Sequence, residues 1–137
     1  MLFCDDVLSL VESFNLSEHY YIGKLDNKKD KSIGVYNGDK LPYRVSLGGF
    51  ENTLYDVQRF TLLIHWTTHP HDTEVIANKV YEKLSSVTDI NINDKYIYYI
   101  NMLYNQPIDV STDDNGIYER VIDIEIYSRK DWNVWVN

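Results

Sequence analysis

Residues 57–66, VQRFTLLIHW, give the clearest structural signal in the sequence because apolar and polar side chains alternate along them. The side chains of one parity are large and apolar: Phe60, Leu62, Ile64 and Trp66. The other parity includes Arg59, Thr61 and His65. Alternation with a period of two is typical of a strand that buries one face against a core. We therefore predict a half-buried strand here.

A helix is predicted directly after this strand, over residues 70–85. Asp72 is the expected N-cap, and Glu74 would lie in the first turn, where acidic side chains favour the positive end of the helix dipole. The polar side would carry Lys79, Glu82 and Lys83. Apolar residues recur at helical spacing on the opposite side, which predicts a buried stripe made of Ile76, Ala77, Val80, Tyr81 and Leu84.

Shorter elements are predicted on both sides of this strand–helix unit. A helix is expected over residues 5–15, with strands over 20–25, 33–36, 90–92, 96–104 and 117–127. In the strand 96–104 the side chains of one parity share a face, namely Tyr96, Tyr98, Ile100, Met102 and Tyr104. In the last strand the inward side chains are Ile122, Ile124 and Ile126. Residues 105–116 are expected to form a polar connection that ends in a tight turn at Asn115-Gly116.

This order of helix, strands, helix and strands predicts an α+β fold. The sheet is expected to be mostly antiparallel, with the helices packed on one of its faces. We expect one domain over residues 1–137, with a charged loop near 24–44 and a short C-terminal tail at 129–137. A chain of 137 residues is long enough to bury a core of its own.

Composition excludes several classes of protein. The formal net charge is −8, from 13 Lys+Arg against 21 Asp+Glu, which argues against a nucleic-acid reader that depends on a positive surface. The single cysteine excludes an intrachain disulfide and fits a reducing compartment. No stretch approaches the roughly 20 apolar residues that cross a bilayer, and the acidic N-terminus does not resemble an export signal. We therefore expect no membrane partner.

The charge is unevenly distributed along the chain. Residues 24–44 carry six basic and three acidic groups, a local charge of +3, while the remaining residues sum to −11. One interpretation is a solvated loop with interleaved Lys and Asp. The other is a basic arm that docks on the acidic face of a neighbouring copy. The candidate residues of a subunit or partner interface are Lys28, Lys29, Lys31, Asp113, Asp114, Trp132 and Trp135.

Two groups of residues contain side chains that can act as metal ligands. His65, His69 and His71 have zinc-ligand chemistry, but they straddle a predicted strand end and Pro70, so we interpret them as partly exposed histidines in a turn. Residues 109–116 resemble a Ca²⁺ loop. However, the sixth position is Asp114 instead of glycine and the twelfth is Arg120 instead of glutamate, which favours a polar turn.

Other catalytic signatures are missing from the sequence. Gly48-Gly49 is not followed by the Lys-Ser/Thr of a phosphate-binding loop, and there is no G-x-S-x-G elbow. Cys4 has no histidine near it in sequence and is expected to be inert. We therefore predict neither an enzyme nor a cofactor, and a metal-dependent enzyme built on the three histidines is kept only as a third hypothesis.

The 12 tyrosines leave two interpretations open. Tyrosines on a sheet stack single-stranded bases in RNA-binding modules, which supports a second hypothesis of a single-stranded nucleic-acid-binding module. Those modules place Lys or Arg beside the aromatic side chains, whereas here Lys95 is the one basic residue next to the strand 96–104. Tyrosine and tryptophan are also favoured in protein interfaces, so we prefer a core and interface role for the tyrosines and for Trp132 and Trp135.

Two segments resemble a known protein family. The first is YDVQRFTLLIHW at 55–66, followed by DTE at 72–74. The second is MLYNQPIDV at 102–110, which leads into TDDNGIYE at 112–119. Together they resemble the minor capsid protein family of long-tailed phages that infect Gram-positive bacteria, a family similar to tail-terminator or tail-completion proteins. The resemblance covers most of residues 45–130.

The resemblance implies a structural protein of the virion tail and neck, synthesised in the cytoplasm of the bacterial host. Such proteins are α+β subunits that form a ring, commonly a hexamer, which caps the tail tube and joins it to the head connector. The implied partners are further copies of the chain, the tail tube protein and a head-connector or stopper protein. DNA would pass through the ring without being bound, and the acidic net charge is compatible with such a passage.

Overall fold

The computed structural model describes residues 1–23, 29–39 and 55–130. Within them the helices are α1 (Cys4–Ser13) and α2 (Pro70–Ser85). The strands are β1 (His19–Ile22), β2 (Ser32–Asn37), β3 (Tyr55–His65), β4 (Thr88–Ile92), β5 (Lys95–Met102), β6 (Ile108–Thr112) and β7 (Tyr118–Arg129). Residues 24–28 and 40–44 of the predicted 24–44 loop, and the tail beyond Lys130, lie outside the described residues.

The described strands form a single mostly antiparallel sheet in the order β1-β2-β3-β7-β5-β4. The long strands β3 and β7 pair over their whole length, from Tyr55 opposite Arg129 to His65 opposite Glu119. β1 and β2 are parallel to each other, and β6 pairs with the first half of β7. The predicted α+β fold with a mostly antiparallel sheet is confirmed.

The core lies on one face of the sheet, and both helices pack there. The inward parity of β3 is buried as predicted, since Phe60, Leu62 and Ile64 are at most 1% exposed. Their partners Ile122 and Ile124 in β7 join the same cluster, which also contains Val7 and Val11 of α1 and four residues of α2. The predicted α2 stripe is buried at Ile76, Ala77, Val80 and Leu84, and Tyr81 packs at its edge.

A buried ion pair joins the N-terminal helix to the β4–β5 hairpin. Asp6 is only 5% exposed, and Lys95 donates to its Oδ2 at 2.7 Å while Asn93 donates to its Oδ1 at 3.0 Å. The Phe3 N–H donates to the same carboxylate at 2.8 Å. Burial alone would raise the pKa of Asp6, but together the hydrogen bonds from Lys95, Asn93 and Phe3 hold this pKa below its ordinary value.

Three sequence predictions about the elements are wrong. The N-cap of α2 is His69, with Pro70 in the first turn, so Asp72 lies inside the helix instead of capping it. A bulge between Ile97 and Tyr99 interrupts the β5 pairing with β7, and it buries Ile97 as well as Ile100. The predicted single face from Tyr96 to Tyr104 therefore does not exist.

The third wrong prediction concerns residues 105–116, which contain the strand β6 in addition to turns. The turn at Asn115-Gly116 itself is present, and Gly116 has a φ of +78°, where glycine carries no steric penalty. In the part of the chain that the structure describes, no helix is long and apolar enough to cross a membrane.

Two buried serines make a matched test of hydrogen bonding in this core. Ser128 and Ser32 are both 1% exposed, but the Ser128 Oγ has no partner among the described residues, whereas the Ser32 Oγ donates to the Lys29 carbonyl oxygen at 2.7 Å. An unpaired buried hydroxyl is destabilising. We expect Ser128→Ala to raise the free energy of unfolding by about 1 kcal/mol and Ser32→Ala to lower it by about as much. Urea titration measures both, and equal losses in the two variants would contradict the assignment.

Candidate functional site

The face of the sheet opposite the helices is the candidate functional surface, and we call it the open face. It carries the outward parity of β3 and β7, which are paired side by side. Most of these side chains are half-buried or exposed, and no described helix covers them. Three features lie along it: a patch of tyrosines at one end, a polar groove at its centre and the buried His65 at the other end.

A charged pair lies between the tyrosines and the groove. Glu125 is 5% exposed, and the Arg59 Nε donates to its Oε2 at 3.0 Å. Asn101 and the Tyr127 hydroxyl donate to its Oε1 at 3.3 and 3.4 Å. Burial alone would raise the pKa of Glu125, but these bonds, with the Arg59 charge, hold this pKa below its ordinary value. The Arg59 guanidinium is thus already engaged by Glu125 within the subunit.

The central groove has a volume of about 420 Å³ and a polar lining. One wall is the end of β2 and the residues after it, and the other is the segment that follows β5. On its floor the Thr61 hydroxyl donates to the Asp123 Oδ1 at 2.6 Å. Its lining includes Asn37, Asp39, Thr61, Leu103, Tyr104 and Asp123.

Gly38 allows β2 to end against the central groove. Its N–H donates to the Arg59 carbonyl oxygen at 2.9 Å. A Cβ at this position would lie 3.0 Å from the Arg59 backbone carbon, closer than side chains ordinarily approach. The sequence marks Asn37-Gly38 only as a turn signal, and it gives no sign that this turn faces Leu103 and Asp123, because these segments meet only through the strand order.

The tyrosine patch consists of Tyr55, Tyr98, Tyr99 and Tyr127 and borders a shallow apolar depression of about 450 Å³. Tyr99 and Tyr127 stack with ring centroids 4.5 Å apart and planes 10° apart, and Tyr55 is tilted against Tyr127 at 5.7 Å. Tyr55 and Tyr99 are each 45% exposed. Burial, followed by the nearby Glu125 charge, raises the pKa of Tyr127.

Two described cations near these tyrosines make contacts within the subunit. Lys95 pairs with Asp6 at 2.7 Å, and the Arg129 guanidinium lies 4.5 Å above the Tyr96 ring. Base-stacking proteins combine aromatic side chains with cations that are free to meet the phosphates. Binding of single-stranded nucleic acid stays a prediction, and a fluorescence titration at low salt tests it.

The three histidines are not brought together. His65 is 2% exposed, so the prediction that it is partly exposed is wrong, and its Nδ1 lies 2.9 Å from the Glu119 Oε2. His69 is the exposed N-cap of α2, and His71 borders a separate groove beside Lys31. Among the described residues no group of three or more His, Cys, Asp or Glu is placed to hold a metal ion. Metal analysis of the purified protein tests the third hypothesis.

The predicted acidic interface residues lie in the turn between β6 and β7. The Asp113 Oδ1 accepts from the backbone N–H groups of Asn115 and Ile117, both at 2.9 Å. This carboxylate therefore shapes its own loop, as expected of a polar turn. Asp114 is exposed beside it. Asp113 also lies near His65, with its Oδ2 3.8 Å from the His65 Nδ1.

The predicted basic interface residues are partly described. Lys29 and Lys31 are exposed immediately before β2, and the Lys31 N–H donates to the Trp66 carbonyl oxygen at 2.9 Å. They belong to the same end of the sheet as His65, because Ser32 pairs with His65, which in turn pairs with Glu119. Lys28, Trp132 and Trp135 lie outside the described residues.

Comparison with known proteins identifies the family of the chain. No curated protein matches the sequence significantly. One protein family, described as bacteriophage tail terminator protein, matches residues 7–127. The matched range begins within α1 and ends within β7, so it includes the open face up to Tyr127. The match confirms the resemblance to tail terminators that the two sequence segments indicated. The chain belongs to the bacteriophage tail terminator protein family, and it is a structural component of a phage tail.

Proposed function

We propose that copies of this chain form a ring, of six subunits, that caps the finished tail tube and joins it to the head connector. The family match over residues 7–127 carries the proposal. The protein acts as a structural subunit without catalysis or cofactor, at the junction of tail and neck. The host is a Gram-positive bacterium in whose cytoplasm the subunit is synthesised, and the phage is long-tailed.

Two physical features support the ring. In a closed ring each subunit offers two different surfaces to its two neighbours. The open face supplies a broad surface that no described helix covers, and the basic residues before β2 supply a charge opposite to that of the acidic body. The net charge of −8 repels phosphates, so DNA passes through the ring without being held.

The proposed contact residues remain those of the sequence prediction. The basic side of the proposed subunit interface consists of Lys28, Lys29 and Lys31. The acidic candidates are Asp113 and Asp114 in the β6–β7 turn. Trp132 and Trp135 are proposed to contact a neighbouring subunit or the tail tube, since tryptophan is favoured at interface centres.

Charge reversal of the basic residues tests the ring contact. We expect the variant with Lys28→Glu, Lys29→Glu and Lys31→Glu to assemble at least about tenfold more weakly than the unchanged chain, because complementary charge becomes repulsion. Light scattering at a series of protein and salt concentrations measures the assembly.

The matched control compares two double variants of equal charge change. Lys29→Glu with Lys31→Glu alters the basic residues before β2, whereas Lys79→Glu with Lys83→Glu alters two exposed lysines on α2. We expect the first pair to weaken assembly and the second to leave it nearly unchanged. If neither the first pair of substitutions nor the salt concentration changes ring assembly, the basic residues have no role in the ring contact.

A further inference from the structure

Strand β2 separates opposite charges at its two ends. Exposed Lys29 and Lys31 precede it, in a segment, residues 24–31, that carries four lysines and two aspartates. Exposed Asp39 follows it and borders the central groove. The strand itself is Ser32–Asn37, so its two ends are about 20 Å apart at the usual rise of about 3.3 Å per residue.

Two carboxylates of the central groove have no described cation as a partner. Asp39 and Asp123 both line it, and no described lysine or arginine lies within ion-pair distance of either carboxylate. Within the described residues, the Asp123 side chain has the neutral Thr61 hydroxyl as its hydrogen-bond partner. Arg59, the cation in the groove, is paired with Glu125 at 3.0 Å. The half-buried Asp123 carboxylate, which has no described cation beside it, would therefore be stabilised by a positively charged partner.

Among the described residues, the lysines that could complement this groove, Lys29 and Lys31, lie at the other end of β2. A lysine side chain is far shorter than the length of β2 that separates Lys31 from Asp39. The Lys29 end of one subunit can therefore meet this groove in another copy, and in the proposed ring this contact is head-to-tail. Repetition of a head-to-tail contact generates a ring when the rotation closes.

We propose that the central groove of one subunit receives the basic residues before β2, Lys29 foremost, from the next subunit of the ring. This inference rests on the proposed ring. The proposed contact specifies which acidic residues of the neighbouring copy accept the lysines, namely Asp39 and Asp123. Asp113 is a weaker acceptor because two backbone N–H groups already occupy its Oδ1, and its turn lies at the lysine end of the sheet.

Neutralising the groove is the first test. Asp39→Asn with Asp123→Asn removes both charges but leaves an oxygen at position 123 to accept the Thr61 bond. The control, Asp5→Asn with Asp94→Asn, removes two charges from exposed positions far from the groove in sequence. We expect the groove variant to assemble about tenfold or more weakly in sedimentation experiments, and the control to assemble as the unchanged chain does. Equal assembly of both would overturn the inference.

A charge exchange is the second test, and it uses only exposed positions. Lys29→Glu and Asp39→Lys should each weaken assembly, and the two together should restore it, because every contact then has opposite charges again. The control combines Lys29→Glu with Asp94→Lys, which restores the net charge but not the contact. Recovery in this control, or no recovery in the exchanged variant, would show that net charge or another surface governs assembly.

The two proposals fail in different ways. If rings form but neither the neutralised nor the exchanged groove variant affects them, the groove contact is wrong and the proposed ring stands. If the unchanged chain remains a monomer even with tail tubes, both the ring and the groove contact are wrong. If Lys29→Glu and Asp39→Lys each weaken ring assembly and the two together restore it, both the ring and the groove contact are supported.

Discussion

Replacing Lys95 with methionine is expected to lower the free energy of unfolding by about 3 kcal/mol. The Asp6 carboxylate is 5% exposed and receives the Lys95 ammonium at 2.7 Å, so the variant leaves a buried charge with only Asn93 and the Phe3 N–H as partners. Removing one partner of a buried ion pair lowers the free energy of unfolding by several times the amount that a surface ion pair contributes. The packing of α1 on the sheet should loosen in consequence. Urea titration with circular dichroism measures the loss.

The control for this prediction is Lys79→Met on the exposed side of α2, which should change stability by less than about 0.5 kcal/mol. The double variant Asp6→Asn with Lys95→Met should be more stable than Lys95→Met alone, because no buried charge remains. The pKa of Asp6 is lowered in the folded chain, so its contribution is complete above the unfolded value near pH 4 and is lost as the pH falls through the folded value. A Lys95→Met variant with unchanged stability and unchanged acid sensitivity would contradict the assignment.

Replacing Phe60 with alanine is expected to lower the free energy of unfolding by about 3–5 kcal/mol. Phe60 is 1% exposed at the centre of β3, where it pairs with Ile124 of β7 on the core face. Truncating a ring at such a site loses its burial and leaves a cavity that the neighbouring strands fill only in part. Thermal and urea unfolding monitored by tryptophan fluorescence are suitable, because Trp66 lies in the same core cluster.

Two variants check that the Phe60 effect arises from the core. Tyr104→Ala truncates an aromatic side chain that is 54% exposed, and it should cost less than about 1 kcal/mol. Phe60→Leu keeps most of the apolar volume and should lose well under half of what alanine loses. A similar loss for Tyr104→Ala and Phe60→Ala would mean that β3 does not occupy the core as described.

The long elements could be predicted because their burial is periodic. Alternation in β3 and β7 and helical spacing in α2 identify side chains that the structure buries, such as Leu62, Ile124 and Val80. These patterns depend on one element facing one core, which is a local property of the sequence. They were sufficient for the α+β fold and for placing the helices on one face.

Features that depend on pairing between distant segments could not be predicted. In β6 the side chains are mostly exposed, so buried and exposed positions hardly alternate, and Ser111 has a positive φ. The strand forms because its backbone pairs with β7. The bulge in β5 moves Ile97 into the core without a signal in the sequence. His65 is buried next to Glu119, and the Asp113 carboxylate approaches its Nδ1 as well.

The candidate surface was even less accessible to sequence reasoning. The central groove combines residues after β2, within β3 and after β5, which the strand order brings together. The division of charge along the chain was visible in the sequence, and the acidic interface residues predicted from it are Asp113 and Asp114. The proposed acceptor, Asp39 with Asp123, could not be inferred from the sequence because it depends on the strand order. One domain over residues 1–137 stays a prediction.

We propose that this tail terminator subunit works as a ring on the tail tube. Negative-stain electron microscopy of the purified chain, alone and mixed with tail tubes, tests it most directly. We expect rings of one diameter, with six subunits, at a single end of each tube. Tubes that remain bare while the chain stays monomeric at every concentration would contradict the claim.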